Sequence, residues 1–229
     1  MKKSSEKNTN SPFKGWSKES DQVKKAFELA EKAHKGQTRK NYSKDGKLIP
    51  YISHPIAVKN IAEKIAKLYL TRAYEGDSYD NKIYITNVSE YNQVINVVNK
   101  EHKKLKEHIL QLVKITSLLH DSVEDSFENC KLFRIPEKDI MTLEKVEKFF
   151  GVQIRGIIDN LTHREEEEYD HSIKRATLHV VSTIVKAADN IHNMSDLNIL
   201  PVHYHRRRTY RVSCMYLLEH LNIDCKEFL

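Results

Sequence analysis

Three short segments of the chain hold residue types that could do chemistry. They are Pro50-Tyr51-Ile52-Ser53-His54-Pro55, Leu118-Leu119-His120-Asp121-Ser122-Val123-Glu124-Asp125 and Lys186-Ala187-Ala188-Asp189-Asn190-Ile191-His192-Asn193-Met194. Each sets a His or an Asp beside an apolar run of the kind that buries a helix. Two imidazoles, His54 and His120, and two carboxylates, Asp121 and Asp189, would make a mixed nitrogen and oxygen site for one divalent metal. That donor set suits Mn, Fe, Co or Zn better than Ca or Mg. It points to hydrolysis, because a bound metal can make a nucleophile from water at neutral pH.

Each motif has a plainer alternative. His120 and Asp121 are adjacent at the end of an apolar helix, so they point about 100° apart and can both reach an ion lying between them. Glu124 and Asp125 follow at the next turn, on the same face. A carboxylate there can accept or orient a proton; the alternative is a capped helix end with solvated acids. Asp189 lies in the apolar stretch Ser182 to Ile191, where a lone carboxylate is costly unless paired or metal-bound. Lys186, one turn earlier, offers a simple ion pair instead. Asn193, one turn later, can donate to a phosphate or ribose oxygen, or cap a helix. His54 precedes Pro55 at a helix start, where a structural histidine is the alternative. His34 sits on an apolar stripe and is read as structural, or as supporting a ligand. Arg39 and Lys40 lie between His34 and His54, close enough to meet substrate phosphates if His54 binds metal. In isolation they are solvated charges.

Helices must position these groups. Asp21 to Lys35 carries Val23, Phe27, Ala30 and His34 on one stripe, with Ala26 and Ala33 beside it, and Gly36 ends it. Residues 36–53 read as a basic loop. Pro55 then fits the first turn of a second helix, whose apolar face is Ile56, Ile61, Ile65, Leu68 and Tyr69. Residues 71–103 are rich in Tyr, Asn, Asp and Lys and read as a surface insertion. Within it, Ile83, Ile85 and Val88 suggest a short strand and Val94 to Val98 a short helix. The helical pattern returns from Lys104 to His120, followed by a loop over 126–138. Thr142 to Phe150, Val152 to Leu161, 171–194 and 205–222 complete the helices. The class is all-α. Residues 1–19 read as a disordered polar tail and 20–229 as a single domain.

Composition agrees. The chain has 229 residues, 39% of them hydrophobic, with only six Gly and five Pro, too few for an all-β sandwich. The net charge of +6 is mild and offset by many acids, which argues against nucleic acid and would equally attract a small polyphosphate. His205-Arg206-Arg207-Arg208 is the one dense basic run. Cys130, Cys214 and Cys225 are odd in number and unpaired in spacing, as for free thiols in a reducing, cytoplasmic compartment. No apolar run is long enough to span a membrane, and no secretory h-region opens the chain.

The ordered set of motifs resembles the HD-domain superfamily, and within it the guanosine-tetraphosphate hydrolases. The likeness rests on Ala33-His34-Lys35-Gly36-Gln37-Thr38-Arg39-Lys40, the Pro-Tyr-Ile-Ser-His-Pro segment, His120-Asp121-x-x-Glu124-Asp125 and Asp189-x-x-His192-Asn193-Met194, over about residues 21–70 and 104–220. The resemblance implies an HD-type helical fold and one bound divalent metal, Mn first. It implies ligation by His54, His120, Asp121 and Asp189, with Glu124 and Asp125 handling the water. It sets Arg39, Lys40 and Asn193 around a nucleotide substrate, and His34 outside the ligand set. The implied reaction removes the 3′-pyrophosphate of guanosine tetra- or pentaphosphate. Rival readings are a hydrolase of another nucleotide or phosphorylated cofactor, and a non-catalytic metal-binding signalling protein; either way the chain could form an oligomer. Asn190, His163 and Asp196 depart from the residue types common at their positions. No synthetase segment is expected after the last helix.

Overall fold

Ser20 starts the first helix by accepting the Val23 backbone N–H on its side-chain oxygen at 3.4 Å, the usual role of an N-cap serine. In the computed structural model this helix, α1, spans Asp21–Ala33. Val23, Ala26, Phe27, Ala30 and Ala33 all face the core. Burying a side chain the size of Phe27 stabilises by roughly 1.5–3 kcal/mol. The described residues are 18–42, 45–75, 88–196 and 204–229; the side chains of 40–42, 73–75, 88–99 and 196 lie outside that description.

Gly36 turns the chain after α1 with φ +86°, and a Cβ there would lie 3.2 Å from ring carbons of Phe133. Both the backbone region and the close approach favour glycine. Residues 36–53 are not the loop expected from their charge. They hold an antiparallel hairpin of β1 (Thr38–Tyr42) and β2 (Leu48–Pro50), with Thr38 opposite Pro50 and Tyr42 opposite Leu48. Asp45-Gly46, with Gly46 at φ +72°, is the local signal for such a turn.

Helix α2 runs Ser53–Glu75, α3 Val88–Leu119 and α4 Ser122–Phe133. The expected helix at Val94 to Val98 is thus one stretch of a longer α3. Val88, Tyr91, Val94 and Val98 already recur at helical spacing. Ile83 and Ile85 lie outside the described residues. The expected loop from 126 onward is helical to Phe133 and ends at Arg134, in the left-handed region at φ 53°. On α2 the apolar side chains of Val58, Ala62, Ile65 and Ala66 are fully buried, with Ile56, Ile61, Leu68 and Tyr69 flanking them. Small alanines let the neighbouring helices close on that face.

Next come α5 (Leu143–Phe150), α6 (Val152–Leu161), α7 (Tyr169–Ala176), α8 (Val180–Asp196) and α9 (Tyr204–His220). Residues 171–194 are therefore two helices rather than one. Ser182 Oγ donates to Ala176 O at 2.7 Å, Thr183 Oγ1 donates to His179 O at 3.1 Å, and Val181 N–H donates to His179 Nδ1 at 3.1 Å. Side chains take up backbone groups that a continuous helix would pair internally.

The all-α expectation holds: the single sheet among the described residues has two strands. Helix α2 packs on α3 and α8, α1 on α3, and α9 on α8. Val181, Ile184, Val185, Ala187 and Ala188 are all fully buried, so Asp189 follows from a helix enclosed by its neighbours. Among the described residues no helix is long and apolar enough to cross a membrane.

Candidate metal centre

Three places in the fold meet at one point. His54 lies in the first turn of α2, His120 and Asp121 form the short junction between α3 and α4, and Asp189 lies within α8. His120 and Asp121 are therefore not successive positions of one helix. Asp121 occupies the N-cap position of α4 at φ −96°, ψ −8°, and its side chain makes no capping bond. The chain break turns it toward the imidazoles instead. His54 Nε2 is 3.3 Å from Asp121 Oδ2 and 3.2 Å from Asp189 Oδ1. His120 Nε2 is 3.1 Å from Asp121 Oδ2 and 3.7 Å from Asp189 Oδ1. Ligand atoms of His54, His120 and Asp121 all lie within 4.8 Å of one another. Atoms sharing a first-row ion at about 2.1 Å stand about 3.0–3.4 Å apart at right or tetrahedral angles; three of these four separations fall in that range and the one between His120 and Asp189 is wider.

The protonation pattern fits as well. His120 Nδ1 lies 2.8 Å from the Ser117 carbonyl. A carbonyl only accepts, so Nδ1 carries a proton and Nε2 is the nitrogen left to meet an ion. That buried Nε2 has no hydrogen-bond partner; its 3.1 Å approach to Asp121 has the distance of a hydrogen bond without the geometry. Leaving such a group unpaired costs on the order of 1–3 kcal/mol, which a cation would remove. Burial opposes a charge on His120, yet the Asp121 and Asp189 carboxylates push its pKa up to about 10. Burial would raise both acids too. His120 and His54 nonetheless hold Asp121 well below the usual carboxylate range, and Lys186 with the two imidazoles does the same for Asp189. The cluster seeks positive charge.

Neighbours fix the ligand atoms. Tyr51 Oη donates to Asp121 Oδ2 at 2.6 Å. Burial and the Asp121 and Asp125 charges push this phenol far up, so it remains a donor. Asn193 Nδ2 donates to Asp189 Oδ1 at 2.7 Å, and Lys186 Nζ donates to Asp189 Oδ2 at 3.2 Å. The ion pair with Lys186 takes Oδ2, while Oδ1 faces the imidazoles. His54 Nδ1 meets His192 Nδ1 at 2.7 Å. Tyr51 and His192 were not singled out by residue type. Their signal was position, each within three residues of a candidate ligand.

The other expected residues lie around this cluster at differing depth. Asp125 is half-buried and accepts from Gln37 Nε2 at 2.9 Å. Burial, then the Asp121 charge, pushes its pKa up to about 6, where a carboxyl can take up and release protons near neutrality. Gln37 Oε1 in turn accepts from His34 Nδ1 at 2.7 Å and Asn129 Nδ2 at 2.9 Å. His34, pushed down to about 4 by burial, is neutral. Glu124 is exposed and accepts the His163 backbone N–H at 3.0 Å, which holds it at the rim. Arg39 Nη2 donates to Asn193 Oδ1 at 3.3 Å, and its guanidinium lies 5.4 Å from the Tyr51 ring centroid. It therefore reaches the ligand set through Asn193. The side chain of Lys40 lies outside the described residues.

No family model matches the chain. It is 23% identical over 188 residues to a probable GTP pyrophosphokinase of Mycobacterium leprae, covering 78% of this chain and 16% of that protein. It is 26% identical over 200 residues to the putative chloroplastic GTP diphosphokinase RSH1 of Oryza sativa subsp. japonica, covering 79% of this chain and 16% of that protein. A solved structure described as a metazoan ortholog of SpoT that hydrolyzes ppGpp superposes with a TM-score of 0.49 at 20% identity, over 88% of this chain and 86% of that one. The chain spans 16% of the length of the curated relatives it matches, and over most of its own length it is similar to one segment of GTP pyrophosphokinase-type proteins.

Proposed function

We propose that the chain is a metal-dependent phosphohydrolase that removes the 3′-pyrophosphate of guanosine tetra- or pentaphosphate. One observation carries the reading: the Nε2 atoms of His54 and His120 each lie 3.1–3.7 Å from a carboxylate oxygen of both Asp121 and Asp189. These residues would hold one divalent ion, Mn first. Such an ion supplies a Lewis acid for a phosphoryl oxygen and an acidified water. Asp125, poised near neutrality, would accept the proton of the attacking water. Glu124 at the rim would orient that water or the leaving group. Arg39, Lys40 and Asn193 would offset and align the substrate's phosphates.

The curated relatives carry pyrophosphokinase names. Transfer between nucleotides commonly uses Mg, which takes oxygen ligands and keeps its waters. Two histidines in the ligand set favour a softer ion and attack by water.

The test is a nucleotide panel with purified protein and Mn, products being resolved by anion-exchange chromatography. The expected result is GDP and pyrophosphate from guanosine tetraphosphate. Hydrolysis of a different nucleotide alone would move the substrate but keep the chemistry. AMP formed from ATP and GDP, without hydrolysis, would overturn the reading.

A further inference from the structure

The two imidazoles of the candidate site differ in what holds their far edge. For His120 it is a carbonyl, which fixes the proton on Nδ1. For His54 it is a second imidazole. Nδ1 of His54 and Nδ1 of His192 lie 2.7 Å apart, with ring centroids 4.8 Å apart. At that distance the contact holds one proton. With none, two lone pairs would face each other; with two, N–H would oppose N–H.

The side on which that proton sits decides whether His54 can ligate. On His192, it would leave neutral His54 with its proton on Nε2, aimed at Asp121 and Asp189 at 3.3 and 3.2 Å. No lone pair would then face the ion. On His54, it leaves Nε2 bare. We infer that His192 is a positioning residue: by accepting at Nδ1, it holds His54 in the tautomer that can bind metal. This rests on the metal reading proposed above. His192 follows Asp189 at helical spacing on α8. One helix would thus supply a ligand and also orient another ligand that arrives on α2. The α2 and α8 helices pack directly together, so the register of that packing would set the contact.

The experiment measures Mn affinity by chelator competition for the wild type, His192→Leu, His192→Asn and His120→Ala. Leucine cannot accept, whereas asparagine can place Oδ1 near the position of Nδ1. Loss of a partner that orients a ligating histidine typically weakens metal binding by about 10–100-fold. That loss is expected for His192→Leu, with His192→Asn close to wild type and far-UV circular dichroism of the metal-free proteins unchanged. Wild-type affinity in His192→Leu, while His120→Ala loses Mn, would overturn the role of His192 and leave the metal site standing. Wild-type binding no tighter than that of His120→Ala would overturn the metal reading itself, and this inference with it. Nitrogen-15 histidine NMR of the Zn-loaded wild type needs no variant. It should find the proton on His54 Nδ1; a proton on His192 Nδ1 would overturn the inference.

Discussion

Arg175 and His120 each stand at the centre of a partly buried cluster of charge, and the two clusters are completed differently. Arg175 Nε donates to Glu167 Oε1 at 2.9 Å, Nη2 donates to Thr162 O at 2.8 Å and to Glu167 Oε2, and Nη1 donates to Asp159 O. The guanidinium ties the loop between α6 and α7 to both helices, and each donor group meets an acceptor. Arg175's hydrogen bonds hold the Glu167 pKa down to about 2. Around His120 the balance fails. Ring nitrogens of two imidazoles and oxygens of two carboxylates crowd together, and one buried nitrogen, His120 Nε2, has no hydrogen-bond partner. A structural ion cluster satisfies itself. A cluster left unbalanced is a candidate binding site, and this one has the charge that a cation would satisfy.

Breaking the unbalanced cluster should have the largest effect. His120→Ala or Asp121→Ala is expected to reduce the metal from about one ion per chain to a trace, measured by mass spectrometry, and activity to background. Full occupancy in His120→Ala would remove it from the ligand set.

The acids beyond the ligands sharpen the contrast. Asp125→Asn should keep the metal and lower kcat by about 10²-fold or more, the scale of a lost general base. Glu124→Gln, at the exposed rim, should lose less. If Asp125 must be ionised, kcat/KM should fall as pH drops through an acid limb at or below about pH 6, and Asp125→Asn should flatten that limb. A limb unchanged in the variant would assign it to another group.

Breaking the balanced cluster should cost stability and leave the metal in place. Arg175→Ala is expected to lose about 2 kcal/mol, for hydrogen bonds to a half-buried charge, in urea unfolding. The pH dependence follows from Glu167, whose folded pKa is depressed. Its stabilisation is present above the ordinary pKa of 4.5 and is lost as pH falls from there toward about 2. Arg175→Ala should lack that loss. An equal acid dependence in both proteins would contradict the pairing.

The smallest effect is expected from Arg39→Ala, which should mainly raise KM, by up to roughly tenfold if the arginine only binds phosphate. Wild-type kinetics at limiting substrate would remove it from the site.

Much was legible along the chain because helical periodicity is local. The stripe from Val23 to Ala33, the stop at Gly36, the helix over Val152–Leu161 and the pairing of residue types at His120-Asp121 and Asp189 all follow from neighbours in sequence. The hairpin was missed because the charges of Arg39, Lys40 and Lys47 masked the Asp45-Gly46 turn. The break before α8 was missed because apolar spacing continues through it, while Ser182, Thr183 and His179 take up the backbone groups.

By itself, the sequence determined which side chains could serve as ligands and which helices carry them. Only the tertiary structure decided which atoms meet. It sent Asp189 Oδ2 to Lys186 and Oδ1 to the imidazoles, turned Asp121 away from capping α4, and set His192 against His54. The physical reason is range. Spacing along a chain sets the face on which a residue lies, whereas the separation of a nitrogen and an oxygen on different helices depends on how α2, α3 and α8 pack. A shift of about an ångström in that packing would carry these contacts out of hydrogen-bond or ligand reach.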